Sequence, residues 1–302
     1  MKKTPGAIAA PSFFRTAHFK ENLSGYLFIL PGLIFFVIFT VIPFIEAFIL
    51  SLQRYNPRGS TFIGFENYAT LFATDNFWKS FGNTFLFVVI IVPVTMIIAL
   101  FVSSRIMDFS TRLQTVFRAA FYLPVVMSVV SISLVWKVLL NYNYGVLSYF
   151  VKALGGTPVN WLGNEKTVIP VLSLIVVTFS LGQPIILFLA ALNGIDRSYY
   201  EAADVDGASW FMNFRKITLP LLRPTTLYVL VTTTINAFQT FAIINLMTGG
   251  GPNYASSTLL YQIYKQAFTF REFGIASAEG VILFFCVAVF GVAQFIFVRP
   301  KD

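Results

Sequence analysis

The sequence predicts an all-α integral membrane protein with six transmembrane helices. Only 11% of its 302 residues are charged, where a soluble domain carries roughly a quarter. Hydrophobic residues make up 57% of the chain. They gather into six runs long enough to span a bilayer, which takes about 20 largely apolar residues because no water in the hydrocarbon core satisfies loose backbone groups.

The first run, 25–50, follows a basic start at Lys2 and Lys3 but is too late and too long for a cleavable signal, so it reads as a retained span. The second, 84–102, is the shortest. The third is 119–139, and the fourth, 168–192, is interrupted by Gly182, Gln183 and Pro184. The fifth and sixth are 227–247 and 275–298. Prolines 31, 43, 93, 124, 170 and 184 lie in or at the ends of these runs and predict kinks, because each removes a backbone donor. Residues 12–22 mix phenylalanines with Arg15, Lys20 and Glu21, which suits either a short interfacial helix entering the first span or a disordered tail.

Orientation follows from the basic residues. With a cytoplasmic N-terminus, 13 of the 21 Lys and Arg residues fall on the inside and 8 on the outside, so both termini are expected in the cytoplasm. The expected organisation is a cytoplasmic segment 1–24, a membrane domain 25–298 and a cytoplasmic C-terminus 299–302.

Several function classes are excluded. One Cys and one His allow neither a disulfide framework nor a Cys/His metal site within the chain. The net charge of +8 is spread singly between apolar runs instead of forming a nucleic-acid patch. No Gly-x-x-x-x-Gly-Lys loop is present, and Gly249-Gly250-Gly251 lacks the following Lys, so it reads as an external turn. The spans contain no His and no carboxylate pair for a membrane-embedded enzyme.

The most informative stretch is the long loop 198–220 between the fourth and fifth spans. Ser198 is placed to cap a helix with Glu201 in its first turn, and Gly207 to stop it. Ser209 is placed to start a second short helix, and Pro220 and Pro224 mark the return to the membrane. Ala202, Ala203 and Ala208 leave room near this glycine elbow, and Trp210, Phe211 and Phe214 are either docking anchors or rings tucked under the interface.

Glu201-Ala202-Ala203, then Gly207, Ile217 and Leu219-Pro220, resembles the EAA loop of binding-protein-dependent ABC permeases, matched without a gap. Phe62-Ile63-Gly64-Phe65-Glu66-Asn67-Tyr68, Asn83-Thr84, Leu123-Pro124, Asn236-Ala237-Phe238-Gln239 and the segment from Leu246 to Pro252 are similar to the sugar-permease branch of that family. Asp196 departs from the family's more usual proline, and Glu279 from a small or apolar residue.

The resemblance implies a MetI-like type I ABC importer permease. It implies a second permease subunit, an ATPase dimer using ATP and Mg, and an extracytoplasmic solute-binding protein, with no cofactor on this chain. It assigns Glu201, Ala202, Ala203 and Gly207, flanked by Asp206, Ala208 and Ile217, to coupling with the ATPase. The expected solute is a sugar, an oligosaccharide. Glycerol phosphate esters within the family, or an ion-coupled secondary transporter outside it, are the alternatives, and Lys137 and Lys152 keep an acidic sugar open.

Polar groups inside spans are costly and usually face a bundle interior or a cavity. Gln183, Asn236, Gln239 and Asn245 are therefore candidates for sugar hydroxyls, with Phe238 and Phe241 as apolar walls; helix-to-helix hydrogen bonding is their other reading. Glu46 in the first span is expected to reach the surface. Glu279 in the last is expected to pair with Arg271 or Lys137.

Overall fold

The computed structural model describes residues 13–56 and 59–298. The termini and the basic residues Lys2, Lys3, Arg58, Arg299 and Lys301 lie outside the described residues. Helix α1 (Phe13–Phe36) passes through a π turn, Val37–Val41, into α2 (Ile42–Ser51). Of the two readings of residues 12–22, the described part, from Phe13 on, is helical and runs without a break into the first span, Gly25–Ser51.

A two-residue ribbon follows, β1 (Gln53–Arg54) antiparallel to β2 (Thr61–Phe62), with Gln53 opposite Phe62. This ribbon is a small departure from an all-helical chain. Helix α3 (Glu66–Phe72) leads to α4 (Asp75–Ile106), which at 32 residues is the longest helix described and corrects the expectation of a short second span. Its added N-terminal turns carry Asp75, Asn76 and Lys79, and polar residues there interrupt the apolar run.

The third span is broken. Helix α5 (Thr111–Val126) meets α6 (Val129–Leu139) at 96°, just past Pro124, and Ser128 caps α6 by accepting the Val130 N–H. Helix α7 (Val146–Ala153) lies in the following loop. The fourth span, α8 (Val168–Ser180) and α9 (Gly182–Asn193), bends by 47° at the Gly-Gln-Pro sequence. Gly182 is required there: a Cβ would stand 2.5 Å from the Phe121 carbonyl oxygen and 2.7 Å from Val125 Cγ2, so α5 and α9 touch through it.

The loop helices α10 (Ser198–Val205), α11 (Trp210–Asn213) and α12 (Leu219–Leu221) precede α13 (Arg223–Phe238). Helices α14 (Ala242–Met247) and α15 (Leu259–Tyr264) follow, and α16 (Phe273–Val298) is the last span. π turns at Val37–Val41 and Phe214–Thr218 each end two residues before a proline, Pro43 and Pro220, where the wider turn makes room for a ring without an N–H. Among the described residues four helical stretches, Gly25–Ser51, Asp75–Ile106, Arg223–Met247 and Phe273–Val298, are each long and apolar enough to cross a membrane, and counting each of the two bent pairs as one span gives six.

The core lies between α4, α8, α9 and α13, around Phe87, Ile91, Leu172, Ile175, Phe188 and Phe238. In lipid such association rests on close packing and interhelical hydrogen bonds, since tails are as apolar as the side chains. The first span stands apart from this core. No residue in its most apolar window is buried, and it leans on the last span through Phe44 and Phe48 against Phe284, with ring centres 5.0 and 6.1 Å apart.

Candidate functional site

Two features stand out, one within the bundle and one at its end. The first is a cavity of about 340 Å³ bounded by α5, α8, α9, α13 and the break after α13. Gln183 and Ser180 reach it from the bend of the fourth span, and Thr232, Asn236 and Gln239 from the fifth. Asn236 and Gln239 lie three residues apart and so share a helix face.

Phe241 closes one wall, its ring 4.9 Å from that of Tyr264. Phe238 does not serve as a wall. It is fully buried on the opposite face, packed edge-on against Phe85 and Phe290 at 5.6 and 5.4 Å. Asn245 is exposed and lies outside the cavity lining. Ser180 and Thr232 were not among the sequence candidates; their spacing from Gln183 and Asn236, three and four residues, was the signal available. Among the described residues no charged side chain lines this cavity.

The second feature is the 198–220 loop. Helix α10 ends in a Schellman motif: the Gly207 N–H donates to the Asp204 carbonyl (3.0 Å) and the Ala208 N–H to the Ala203 carbonyl (2.9 Å). Gly207 adopts φ +75°, which favours glycine, and a Cβ there would meet nothing within 4 Å. The elbow is therefore a protruding backbone corner with free space beside it. Glu201, Ala202, Asp206 and Gly207 are exposed, and Ala203, Ala208 and Ile217 are half-buried. Val205, on the last helical turn, is 88% exposed, an apolar side chain aimed away from the protein beside the elbow.

Ser209 caps α11 as its type suggested, accepting the Met212 N–H. Ser198 does not cap α10; it is the first helical residue, and Asp196 accepts its N–H at 2.9 Å. That hydrogen bond, with a further one from the Ser198 hydroxyl, holds the Asp196 carboxyl below its ordinary pKa.

Asn213 donates to Asp204 across the elbow (3.1 Å), and Tyr200 and Thr218 share a hydroxyl contact at 2.9 Å. Trp210 stacks on Phe214 with centres 5.5 Å apart. Arg105, from the last turn of α4, also stands over the Trp210 ring, its guanidinium carbon 4.7 Å from the ring centre. Sequence reasoning missed Arg105, whose contact spans a hundred residues. Trp210 and Phe211 remain about half or more exposed, so they are not tucked away.

At the opposite end, the stretches noted as family-like act as ties. Asn83 donates to the Tyr254 and Ser257 carbonyls (2.8 and 2.9 Å), and Thr84 accepts the Leu259 N–H (2.9 Å). Asn67 donates to the Ser51 and Gln53 carbonyls (2.8 and 3.0 Å), and Arg54 pairs with Glu66. The triple glycine forms a turn, with Tyr261 donating to the Gly249 carbonyl at 2.7 Å. Glu46 is exposed on the first span. Glu279 is 1% exposed and pairs with neither Arg271 nor Lys137; neither of its carboxylate oxygens has a partner among the described residues, which overturns the expected ion pair.

Comparison with known proteins identifies this architecture. The family described as "Binding-protein-dependent transport system inner membrane component" matches residues 91–300. The arabinooligosaccharides transport system permease protein AraP of Bacillus subtilis is 30% identical over 289 residues, covering 94% of this chain and 91% of the relative. The trehalose/maltose transport system permease protein MalF of Thermococcus litoralis is 32% identical over 277 residues, covering 91% and 93%. The sn-glycerol-3-phosphate transport system permease protein UgpA of Yersinia enterocolitica is 32% identical over 281 residues, covering 91% and 94%. Among solved structures, a chain of a bacterial ABC transporter that imports the acidic polysaccharide alginate superposes with a TM-score of 0.83 at 23% identity, covering 95% of this chain and 98% of that one. With more than half of its length inside the family match, the chain belongs to the binding-protein-dependent transport system inner membrane components, the multi-pass permease subunits of ABC importers.

Proposed function

We propose that this permease carries a neutral sugar, an oligosaccharide, through a pathway it forms with a second, related permease subunit. A dimeric ATPase on the cytoplasmic side drives it, and an extracytoplasmic binding protein delivers the solute. Both termini and the 198–220 loop lie in the cytoplasm, as the excess of inside Lys and Arg favours. This chain holds no nucleotide; ATP and Mg belong to the ATPase.

The observation that carries the choice of solute is the chemistry of the cavity. Gln183, Asn236 and Gln239 offer amide donors and acceptors suited to hydroxyls, with Phe241 as an apolar wall. Phosphate and uronate groups are ordinarily met by Arg or Lys, and among the described residues this cavity has neither. That disfavours glycerol phosphate esters and acidic sugars on this side of the pathway. Nor, among the described residues, does this cavity hold the charged or proton-relay groups that line the site of an ion-coupled carrier.

Coupling is assigned to the elbow. Glu201, Ala202, Ala203 and Gly207, with Asp206, Ala208 and Ile217 around them, present a protruding backbone corner that enters a cleft on the ATPase. ATP-driven closure of the ATPases then moves the loop and turns the pathway from inward-facing to outward-facing, provided each partner binds one state better than the other.

The test is purification of the complex through a tag on this chain, followed by ATP hydrolysis and uptake with a loaded binding protein. Gly207→Asp is expected to abolish stimulated hydrolysis and uptake while the complex still assembles. Uptake that follows an ion gradient with no associated ATPase would overturn the reading. Competition by neutral oligosaccharides, and none by phosphate esters or uronates, is expected.

A further inference from the structure

Glu279 lies in the second turn of α16, at the end of the bundle away from the 198–220 loop. Its side chain borders a second cavity, of about 240 Å³, enclosed by α3, the start of α4, α15 with the turn after it, and α16. Gln262 borders the same cavity. It is 6% exposed, and its carboxamide has no hydrogen-bond partner among the described residues. Two polar side chains, each more than nine-tenths buried, thus reach this space without partners.

The charged residues lining the space are Glu279, Glu272 and Lys265, a net charge of −1. Lys265 does not neutralise Glu279. Its ammonium rests over aromatic rings, 5.6 Å from the centre of Phe270 and 5.9 and 6.0 Å from those of Tyr254 and Tyr261. A buried carboxyl without a protein partner either keeps its proton or is met by a positive charge, and here the adjoining cavity lets a cation reach it. The neutral polar wall, which includes Gln262, Gln266, Thr70, Thr74 and Asn76, supplies amide and hydroxyl oxygens, hard donors of the kind that hold alkali and alkaline-earth ions.

No group of three or more His, Cys, Asp or Glu side chains able to hold a metal ion occurs among the described residues, which argues against a multiply charged ion. The space has room for about eight waters at roughly 30 Å³ each, so a partly hydrated ion fits.

We propose that this cavity binds a small monovalent cation, sodium or potassium, with Glu279 as its anionic anchor and Gln262 as a neutral ligand. The ion would fasten the start of α16 to α3 and α15, the elements around the cavity. This proposal does not depend on which solute is carried.

The experiment is thermal unfolding of the purified complex in lithium, sodium, potassium or N-methylglucamine chloride at equal ionic strength. The wild type is expected to gain a saturable rise in midpoint with sodium or potassium over N-methylglucamine. Glu279→Gln keeps the shape of the side chain and is expected to raise the half-saturating concentration by about tenfold or more. Gln262→Leu is expected to raise it several-fold, and Lys265→Met to leave it unchanged or lower it. Equal midpoints in all salts would overturn the proposal, as would an unaltered response in Glu279→Gln. A response seen only in Lys265→Met would also overturn it, showing that the lysine fills the site itself. Should Glu279→Gln fail to assemble, an unchanged half-saturation in Gln262→Leu would be sufficient to reject it.

Discussion

The two ends of the bundle are built in opposite ways. Around residues 249–262, side chains of the second span reach backbone groups more than 170 positions away, and the donors and acceptors are buried or part-buried. Around 198–220 the hydrogen bonds are local, 18 residues apart at most, and the named long-range tie is Arg105 on Trp210. Buried hydrogen bonds between distant segments fix one arrangement, because breaking them strands polar groups. A loop held by its own short-range bonds keeps its shape while moving as a piece. The first construction suits a fixed frame and the second a part that transmits motion.

The largest expected effect is at the fixed end. Asn83→Leu leaves the Ser257 carbonyl without its donor, at about 1–3 kcal/mol, and takes one of two donors from the Tyr254 carbonyl, which keeps the Ser257 N–H, at about 0.5–1.5 kcal/mol, so a loss of about 2–4 kcal/mol is expected. Thermal unfolding of the purified complex measures it. If uptake and stimulated hydrolysis fall while the midpoint holds, the division between frame and moving part is wrong.

Gly182→Val probes the junction between the two ends. Its side chain would collide with the Phe121 carbonyl and Val125, forcing α5 and α9 apart at the edge of the solute cavity. Overpacking of this kind costs about 1–3 kcal/mol. Uptake is expected to fail while basal ATP hydrolysis persists, since the 198–220 loop is untouched; retained uptake would show that the bend plays no part in shaping the pathway.

Much of this arrangement is legible in the sequence, and the misses have physical causes. Six spans follow from six apolar runs because the bilayer fixes their length. The second helix is under-read because its first turns, with Asp75, Asn76 and Lys79, are polar, although the helical hydrogen bonds continue through them. Pro124 announces a kink, but the 96° turn comes at Met127 and Ser128, where a serine cap lets a new helix begin.

In the cavity, neighbouring positions on a helix point about 100° apart, so Gln239 faces the cavity while Phe238 packs into the core. Composition cannot say which face is which. Whether Glu279 finds a partner and which ring Arg105 meets depend on elements distant in the chain, and no local pattern encodes either. The Gly207 elbow was readable because a Schellman turn is a local structure with a local signal.

A smaller effect is expected from Arg105→Ala. A cation–π contact at a partly exposed site is worth about 0.5–1 kcal/mol. If it links the loop to α4, binding-protein-stimulated hydrolysis and uptake should fall about two- to fivefold, that energy expressed as a population ratio. Basal hydrolysis and the thermal midpoint should stay near wild type. Arg105→Lys, which keeps the charge but not the planar face, should fall between them. Equal loss of basal and stimulated hydrolysis would mean that Arg105 supports the fold and not the transmission.

The smallest effect concerns the start of the loop. Asp196 is fully exposed, and the Ser198 backbone N–H and then its hydroxyl hold its carboxyl below the ordinary value. A carboxyl with a depressed folded-state pKa contributes stability above its unfolded pKa, about 3.9, and loses it as pH falls through the folded value. The first turn of α10 should therefore stay protected down to the ordinary carboxylate range and fray below it. Amide hydrogen exchange over residues 198–201, corrected for the intrinsic pH dependence of exchange, reads this directly. Asp196→Asn retains an oxygen that accepts the Ser198 N–H but has no proton to gain, so its protection should be slightly lower at neutral pH and flat through the acid range. If the variant frays with the same pH profile as the wild type, another carboxylate governs the turn, and Glu201, exposed in the same first turn, is the next to replace.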